Sequence, residues 1–263
     1  MTMMDHHGTT ALITGASSGL GAVFAQRLAA RGANLILIAR RKERLNELAD
    51  SIRRDEGVSV AVYDRDLSKP AAGSELCARI AVDGLSVDTL INNAGMGTHG
   101  NFADQAPDAL ATEVQLDVTS VVELTRALLP QMLKSGRGAL VNVASTSAYQ
   151  PTPAMAVYGA SKAFILSFTE ALAYETRRAG LKVLAVSPGP MRTEFFDKLG
   201  TTRPGVGQWQ NPEQVVDFTL RTLDRRCAPP SVISGPLNAV PITAARFIPR
   251  RFVLALTGLT VGA

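Results

Sequence analysis

The stretch that most restricts the fold lies near the start of the chain, over residues 11–31. A short apolar run, Ala11-Leu-Ile-Thr14, passes directly into Gly15-Ala-Ser-Ser-Gly19-Leu-Gly21 and then into a helix-like segment over residues 22–31. A strand that enters a helix through glycines needs them where backbone comes close to something. Gly15 permits a tight turn, Gly19 lets backbone approach a pyrophosphate, and Gly21 allows the helix to lie close on the strand. The free N–H groups at the helix start then face the phosphates, with Ser17, Ser18 and Leu20 in the same turn. An ordinary glycine-rich connection is the competing reading of the loop alone, but a strand and a helix flank it in the correct order.

Further apolar runs follow at residues 34–39, 59–63, 88–91, 138–143 and 181–186, with a short one at 232–233, and helical stretches separate them. The continuous run Asn34-Leu-Ile-Leu-Ile-Ala39 suits a strand buried on both faces. Strands alternating with helices predict an α/β fold with a parallel sheet. The 263 residues, 46% of them hydrophobic, fit one domain, and no Pro/Gly-rich linker divides them. Residues 1–9 read as a frayed, solvated leader, 10–237 as the body and 238–263 as an amphipathic tail.

The second run ends in Arg40-Arg41-Lys42. At this strand end an acidic residue would hold the ribose hydroxyls of NAD, whereas arginine accommodates the 2′-phosphate of NADP. The acid is missing, so NADP (NADPH) is expected over NAD, with Arg40 the principal contact and Arg41 secondary. Solvation of the next helix is the plainer role for these cations. Asp66, beside Leu67, is placed to accept from the adenine amino group, its plainer role being a helix cap. Asn92-Asn93-Ala94-Gly95 offers small residues across which a coenzyme can lie, with the asparagines tying loops together. Pro188 and Gly189 turn the chain over the nucleotide, and Thr193 can bond to the nicotinamide amide or a phosphate. Residues 191–210, with Phe195, Phe196, Gly200, Gly205, Gly207 and Trp209, suggest a mobile lid.

The chemistry centres on Tyr158-Gly-Ala-Ser-Lys162 and on Ser145. On a helix, residues four apart share a face, so a phenol has an ammonium beside it. The positive charge stabilises phenolate and is expected to lower the tyrosine pKa, fitting it for acid–base work near neutrality. Ser145 follows the fifth apolar run, where a strand end can aim its hydroxyl at an oxygen shared with Tyr158.

Thr14-Gly15-x-x-x-Gly19-x-Gly21, Asn92-Asn93-Ala94-Gly95, Ser145, Tyr158-x-x-x-Lys162 and Pro188-Gly189 occur in the order found in the short-chain dehydrogenase/reductase family, which the chain resembles along nearly its whole length. The resemblance implies a single-domain Rossmann fold, a doubly wound seven-stranded parallel sheet with helices on both faces, assembled as a homodimer or homotetramer. It implies that Tyr158 exchanges a proton with the substrate oxygen while hydride moves to or from nicotinamide. Lys162 would lower the tyrosine pKa and hold the nicotinamide ribose, and Ser145 would position the substrate. The family's usual asparagine in the long helix, which supports a water beside the lysine, is Asp117 here. Ionised aspartate only accepts hydrogen bonds, so Asp117 keeps that role if it runs through the backbone carbonyl.

The resulting expectation is a cytoplasmic NADP(H)-dependent oxidoreductase of a small, largely apolar carbonyl or alcohol substrate. The alternatives are an NADP-binding regulator or scaffold with little turnover and a peripheral membrane reductase of lipids. The net charge of +4 is dispersed rather than clustered with aromatics, so no nucleic-acid partner is expected. Cys77 and Cys227 have no metal-ligand spacing, His6 and His7 lack a carboxylate cluster, and no metal is expected. Serine hydrolysis lacks a base, because His99 is the only histidine beyond the leader. No run of eighteen apolar residues suggests a membrane span. The basic and apolar tail is expected to pack on the body or a neighbouring subunit, with a membrane surface the lesser alternative.

Overall fold

The computed structural model describes residues 4–199 and 207–261. Gly200 and Gly205 of the expected lid lie outside the described residues, as do the first three residues of the leader. The strands are β1 (Thr10–Thr14), β2 (Asn34–Ala39), β3 (Val60–Asp64), β4 (Thr89–Asn92), β5 (Ala139–Val143), β6 (Lys182–Ser187) and β7 (Ser231–Ile233). The helices are α1 (Gly19–Ala29), α2 (Lys42–Glu56), α3 (Ala72–Val82), α4 (Pro107–Val114), α5 (Ser120–Ser135), α6 (Ala156–Thr176), α7 (Glu194–Leu199), α8 (Pro212–Leu223), α9 (Pro236–Ala245) and α10 (Arg250–Val261).

The strands form one parallel sheet in the order β3-β2-β1-β4-β5-β6-β7. Successive strand residues point to opposite faces, and here both faces are covered. On β1, Ile13 joins Phe24, Leu28, Leu45 and Val215 in the core beneath α1, α2 and α8. Its neighbour Leu12 joins Leu76, Ile80, Leu124 and Met132 beneath α3 and α5. Each is fully buried, which is why the strands read as unbroken apolar runs.

The chain leaves β1 toward β2 and β3 and then returns to the other side of β1 as β4, with Ile13 paired to Leu37 on one flank and Ile91 on the other. At this switch point the connections diverge and leave a crevice above the carboxyl ends of the strands.

The long helix expected to carry Asp117 is not one uniform helix. Between α4 and α5, residues Gln115–Thr119 wind as a π-turn. Such a bulge admits one extra residue and re-aims the side chains within it, here burying Asp117 completely. Within the expected lid, the described residues include the short helix α7. α8 starts with a capping box in which Gln214 Oε1 accepts from the Asn211 N–H at 3.0 Å.

The start of the chain corrects the sequence reading. From residue 4 onward the leader is packed rather than frayed: Met4 N donates to Asp224 Oδ1 at 2.9 Å, and Thr9 Oγ1 donates to His6 O at 2.6 Å. Asp224 also receives both arms of Arg31, at 3.0 and 3.1 Å. The expected tail begins inside α9, where Asn238 is buried and takes the Gln208 N–H at 2.6 Å, tying this helix to the body.

His6 is 1% exposed, and neither ring nitrogen has a partner among the described residues. Burial first, then the Arg31 charge, hold its pKa below the ordinary 6.5, against the opposing pull of Asp224 and Asp5. The unfolded chain therefore takes up this proton at a higher pH than the folded one does. The stabilising contribution is present above the unfolded pKa and is lost as pH falls through the folded value. Urea unfolding is expected to show a lower midpoint at about pH 5.5 than at about pH 7.5, with part of that difference absent in His6→Leu. An identical difference in the variant would show that His6 has no such role.

Candidate active site

A cleft of about 490 Å³ crosses the carboxyl ends of the strands, and the glycine turn, Arg40, Arg41, Asp66, Tyr158 and Lys162 contribute to its walls. The turn is held from below by Thr14, whose hydroxyl accepts from the N–H groups of Asn93 and Ala94, each at 2.9 Å. Asn93 Nδ2 returns a bond to Thr14 O at 2.9 Å. Asn93 thus locks β4 to the turn rather than pointing its amide at a ligand. A Cβ on Gly21 would lie 2.3 Å from the Gly15 carbonyl oxygen, so only glycine allows α1 to start this close to the strand.

Ser18 stands at the N-cap of α1 but gives it no side-chain cap. Its hydroxyl instead accepts from Arg41 Nη2 at 2.7 Å. The first N–H groups of α1 are left for an anion, the feature that fits the site to a phosphate-bearing coenzyme. Arg41 also donates to Ser17 Oγ through Nε at 3.1 Å and Nη2 at 3.0 Å, while Nη1 donates to Glu194 Oε2 at 2.6 Å. Arg44, absent from the sequence reading, donates to the other oxygen of Glu194 at 2.5 Å. Arg40 is exposed and acts on Asp66 only through its charge. The arginine integrated with the glycine turn is therefore Arg41, and both arginines border the cleft. Asp66 Oδ1 accepts from Ser68 N and Oγ at 3.0 and 2.7 Å. Leu20, Leu67, Ala94, Gly95, Pro188, Gly189 and Thr193 all border the cleft, whereas His99 does not.

At the other end, α6 presents Tyr158 and Lys162 one turn apart, with Lys162 Nζ 5.6 Å from the centre of the phenol ring. Ser145, just past β5, accepts Ser147 N at 3.1 Å and pulls the pKa of the phenol down. The ammonium donates to Val143 O at 3.3 Å and pairs with Asp117 Oδ2 at 3.0 Å. Asp117 Oδ1 accepts Met96 N at 2.8 Å. One turn before Asp117 lies Glu113, fully buried, whose Oε2 takes the N–H and hydroxyl of Thr98 at 3.1 and 2.7 Å. Glu113 went unread in the sequence. Its i,i+4 spacing from Asp117 was the available signal.

These acids alter the expected electrostatics. Burial raises the Tyr158 pKa and is the dominant influence, with Asp117 and Glu113 adding to it against Lys162 and Ser145. Lys162 pulls the value down, but the phenol as a whole is less acidic than a free tyrosine, contrary to the sequence expectation. For Lys162, burial favours the neutral amine, yet Asp117 and Tyr158 hold its pKa above the ordinary value. Burial raises Asp117 and Glu113, against Lys162 and the bonds each carboxylate accepts.

A tyrosine, a lysine and a serine around one opening, beside a nucleotide turn on a parallel sheet, suit proton exchange with a carbonyl or alcohol oxygen. Residues 9–204 match the family model for short chain dehydrogenase. The chain belongs to that family. It is similar to the 7beta-hydroxysteroid dehydrogenase of Collinsella aerofaciens, with 31% identity over 90% of each chain. Its structure is similar to that of a short-chain dehydrogenase from Sphingobium yanoikuyae in complex with NADPH, at TM-score 0.80 and 36% identity, covering 97% of this chain and 96% of that one. The bulky-bulky ketone specific alcohol dehydrogenase from Comamonas testosteroni matches at TM-score 0.77 and 33% identity, over 94% of both chains.

Among the described residues of this short-chain dehydrogenase, no cluster of three metal-ligating side chains occurs, and no helix is long and apolar enough to cross a membrane. Because Asp117 raises the Tyr158 pKa, Asp117→Asn is expected to ionise this phenol at lower pH. Ultraviolet difference titration, with Tyr158→Phe in the same background subtracted, measures the midpoint. An unmoved midpoint would dismiss the coupling.

Proposed function

We propose that this NADP(H)-dependent oxidoreductase acts on a bulky, largely apolar ketone or the corresponding alcohol, with Tyr158 exchanging the proton. The observation that carries the reading is the shared opening of Ser145, Tyr158 and Lys162 beside the uncapped start of α1. Arg41, with Arg40 secondary, would receive the 2′-phosphate, and the first N–H groups of α1 the pyrophosphate. When bound, the nicotinamide supplies or accepts the hydride. Ser145 holds the substrate oxygen toward the phenol. Tyr158 donates its proton to that oxygen in reduction and withdraws it in oxidation. Lys162, fixed by Val143 O and Asp117, keeps a positive charge beside the phenolate that remains after proton donation.

The substrate end supports the apolar class. Phe195 lies 5.4 Å from the Tyr158 ring and Phe196 5.2 Å from Trp209, measured between ring centres, and Met155 packs with them. The relatives named for hydroxysteroids and bulky ketones agree with such a pocket. A homo-oligomer built through α6 is supported by Phe164 and Tyr174, 43% and 68% exposed on that helix.

Tyr158→Phe is expected to lower NADPH-dependent reduction of a ketone panel by about 10²–10⁴-fold while NADPH binding persists. Retained turnover would refute the tyrosine's role. Arg41→Ala is expected to weaken NADPH binding by about tenfold or more and leave NADH binding unchanged, as read by coenzyme fluorescence. Equal losses for both coenzymes would move the phosphate contact elsewhere.

A further inference from the structure

Resting on the NADP(H) reading, we infer that Glu194 competes with the coenzyme's 2′-phosphate for Arg41 and Arg44, making it a coenzyme-specificity residue that also couples phosphate binding to α7. Guanidinium forks recognise carboxylate and phosphate oxygens by the same planar geometry. One Glu194 carboxylate bridges two of them, with one oxygen 2.6 Å from Arg41 Nη1 and the other 2.5 Å from Arg44 Nη1. The remaining bonds of Arg41 fix it to the hydroxyls of Ser17 and Ser18, so its position is set by the nucleotide turn and not by Glu194 alone. The donor set is thus a built oxyanion site with an anion of the chain's own on it. Hydrogen bonds from Arg44 and Arg41 hold the Glu194 pKa down to about 2, so the group is a carboxylate throughout the physiological range.

A phosphate carries more charge and more acceptor oxygens than the carboxylate and takes over the same donors. NAD offers no such group, so it leaves Glu194 where it is. The chain sequence gives this exchange a second effect. Glu194 is the first residue of α7, and the next two residues are Phe195, against Tyr158, and Phe196, against Trp209. Release of Glu194 therefore loosens, at the substrate end, the helix that the two arginines tether at the nucleotide end. The differential contact that a conformational change requires is supplied by a single chemical group.

Trp209 is the chain's only tryptophan, and its ring is 5.2 Å from Phe196, so its emission reports on α7 in the intact protein. The wild-type chain is titrated with NADP, NAD, adenosine 2′,5′-bisphosphate and adenosine 5′-monophosphate, and NADP and NAD titrations are repeated on Glu194→Gln and Glu194→Ala. The ligands with a 2′-phosphate are expected to change Trp209 emission, and saturating NAD or adenosine 5′-monophosphate to leave it nearly unchanged. Both variants are expected to bind NADP about three- to tenfold tighter, the range for loss of two partly exposed ion pairs, with NAD affinity unaltered and most of the emission response gone. NADP binding that is equal or weaker in the folded variants, or an equal emission change with NAD, overturns the inference while leaving the coenzyme assignment intact. A wild-type chain that binds no NADP overturns both.

Discussion

A lysine ammonium withdrawn from water has to find compensating charge and acceptors, and the reactive end of this molecule is arranged around that demand. Lys162 is 6% exposed and rests on Val143 O and the Asp117 carboxylate. Removing one partner of such a buried pair costs about 3–5 kcal/mol, because the other is left as an isolated charge. The pair therefore fixes more than itself. It holds α6 against the end of β5, it holds the π-turn against α6, and through Met96 N it holds the loop after β4. A Cβ on Gly95 would stand 3.2 Å from both Asp117 Oδ2 and Lys162 Nζ, so this loop is drawn onto the pair. Four segments distant in sequence meet on one ion pair, and the phenol of Tyr158 sits beside it.

The sheet brings the other half of the cleft within reach. The β1–β4 switch sets the glycine turn and the Asn93 loop side by side, and Thr14 Oγ1 accepts from two N–H groups of that loop. Farther along the same edge, β5 delivers Ser145 and β6 delivers Ser187 and the turn at Pro188. Thr146 N donates to Pro188 O at 2.9 Å, which keeps the serine loop and the proline turn in fixed relation. A hydride and a proton must move at adjacent atoms of one substrate. A parallel sheet satisfies this by ending all its central strands on the same side.

Features set by local composition were legible before any coordinates. Strand positions emerged to within a residue, because a strand covered on both faces has to be a continuous apolar run. The glycine turn and the Tyr158–Lys162 pair were legible because their geometry is fixed by spacing along the chain. What escaped depends on partners far away in sequence. Glu194 meets Arg41 across 153 residues, and nothing local to either side chain announces it. Glu113 belongs to a residue type that usually faces solvent and His6 to one of intermediate burial, and each is buried by segments that packing alone brings over it. The π-turn around Asp117 had no glycine or proline to mark it. The one electrostatic expectation that failed, a more acidic Tyr158, failed for the same reason. The spacing revealed the cation beside the phenol, but not the burial that outweighs it or the two acids that add to that burial.

That reversal bears on the direction of the chemistry. Reduction of a ketone uses the phenol with its proton in place, and oxidation of an alcohol uses the phenolate. An environment that raises the Tyr158 pKa keeps the proton-bearing form populated over a wider span toward alkaline pH, and it makes the phenolate harder to form in the resting enzyme. Lys162 still lowers the cost of the phenolate once proton transfer begins, because its own pKa is raised and its charge persists. Asp117 thus acts on both partners: it keeps the lysine charged and the tyrosine protonated. An asparagine in its place could do neither by charge.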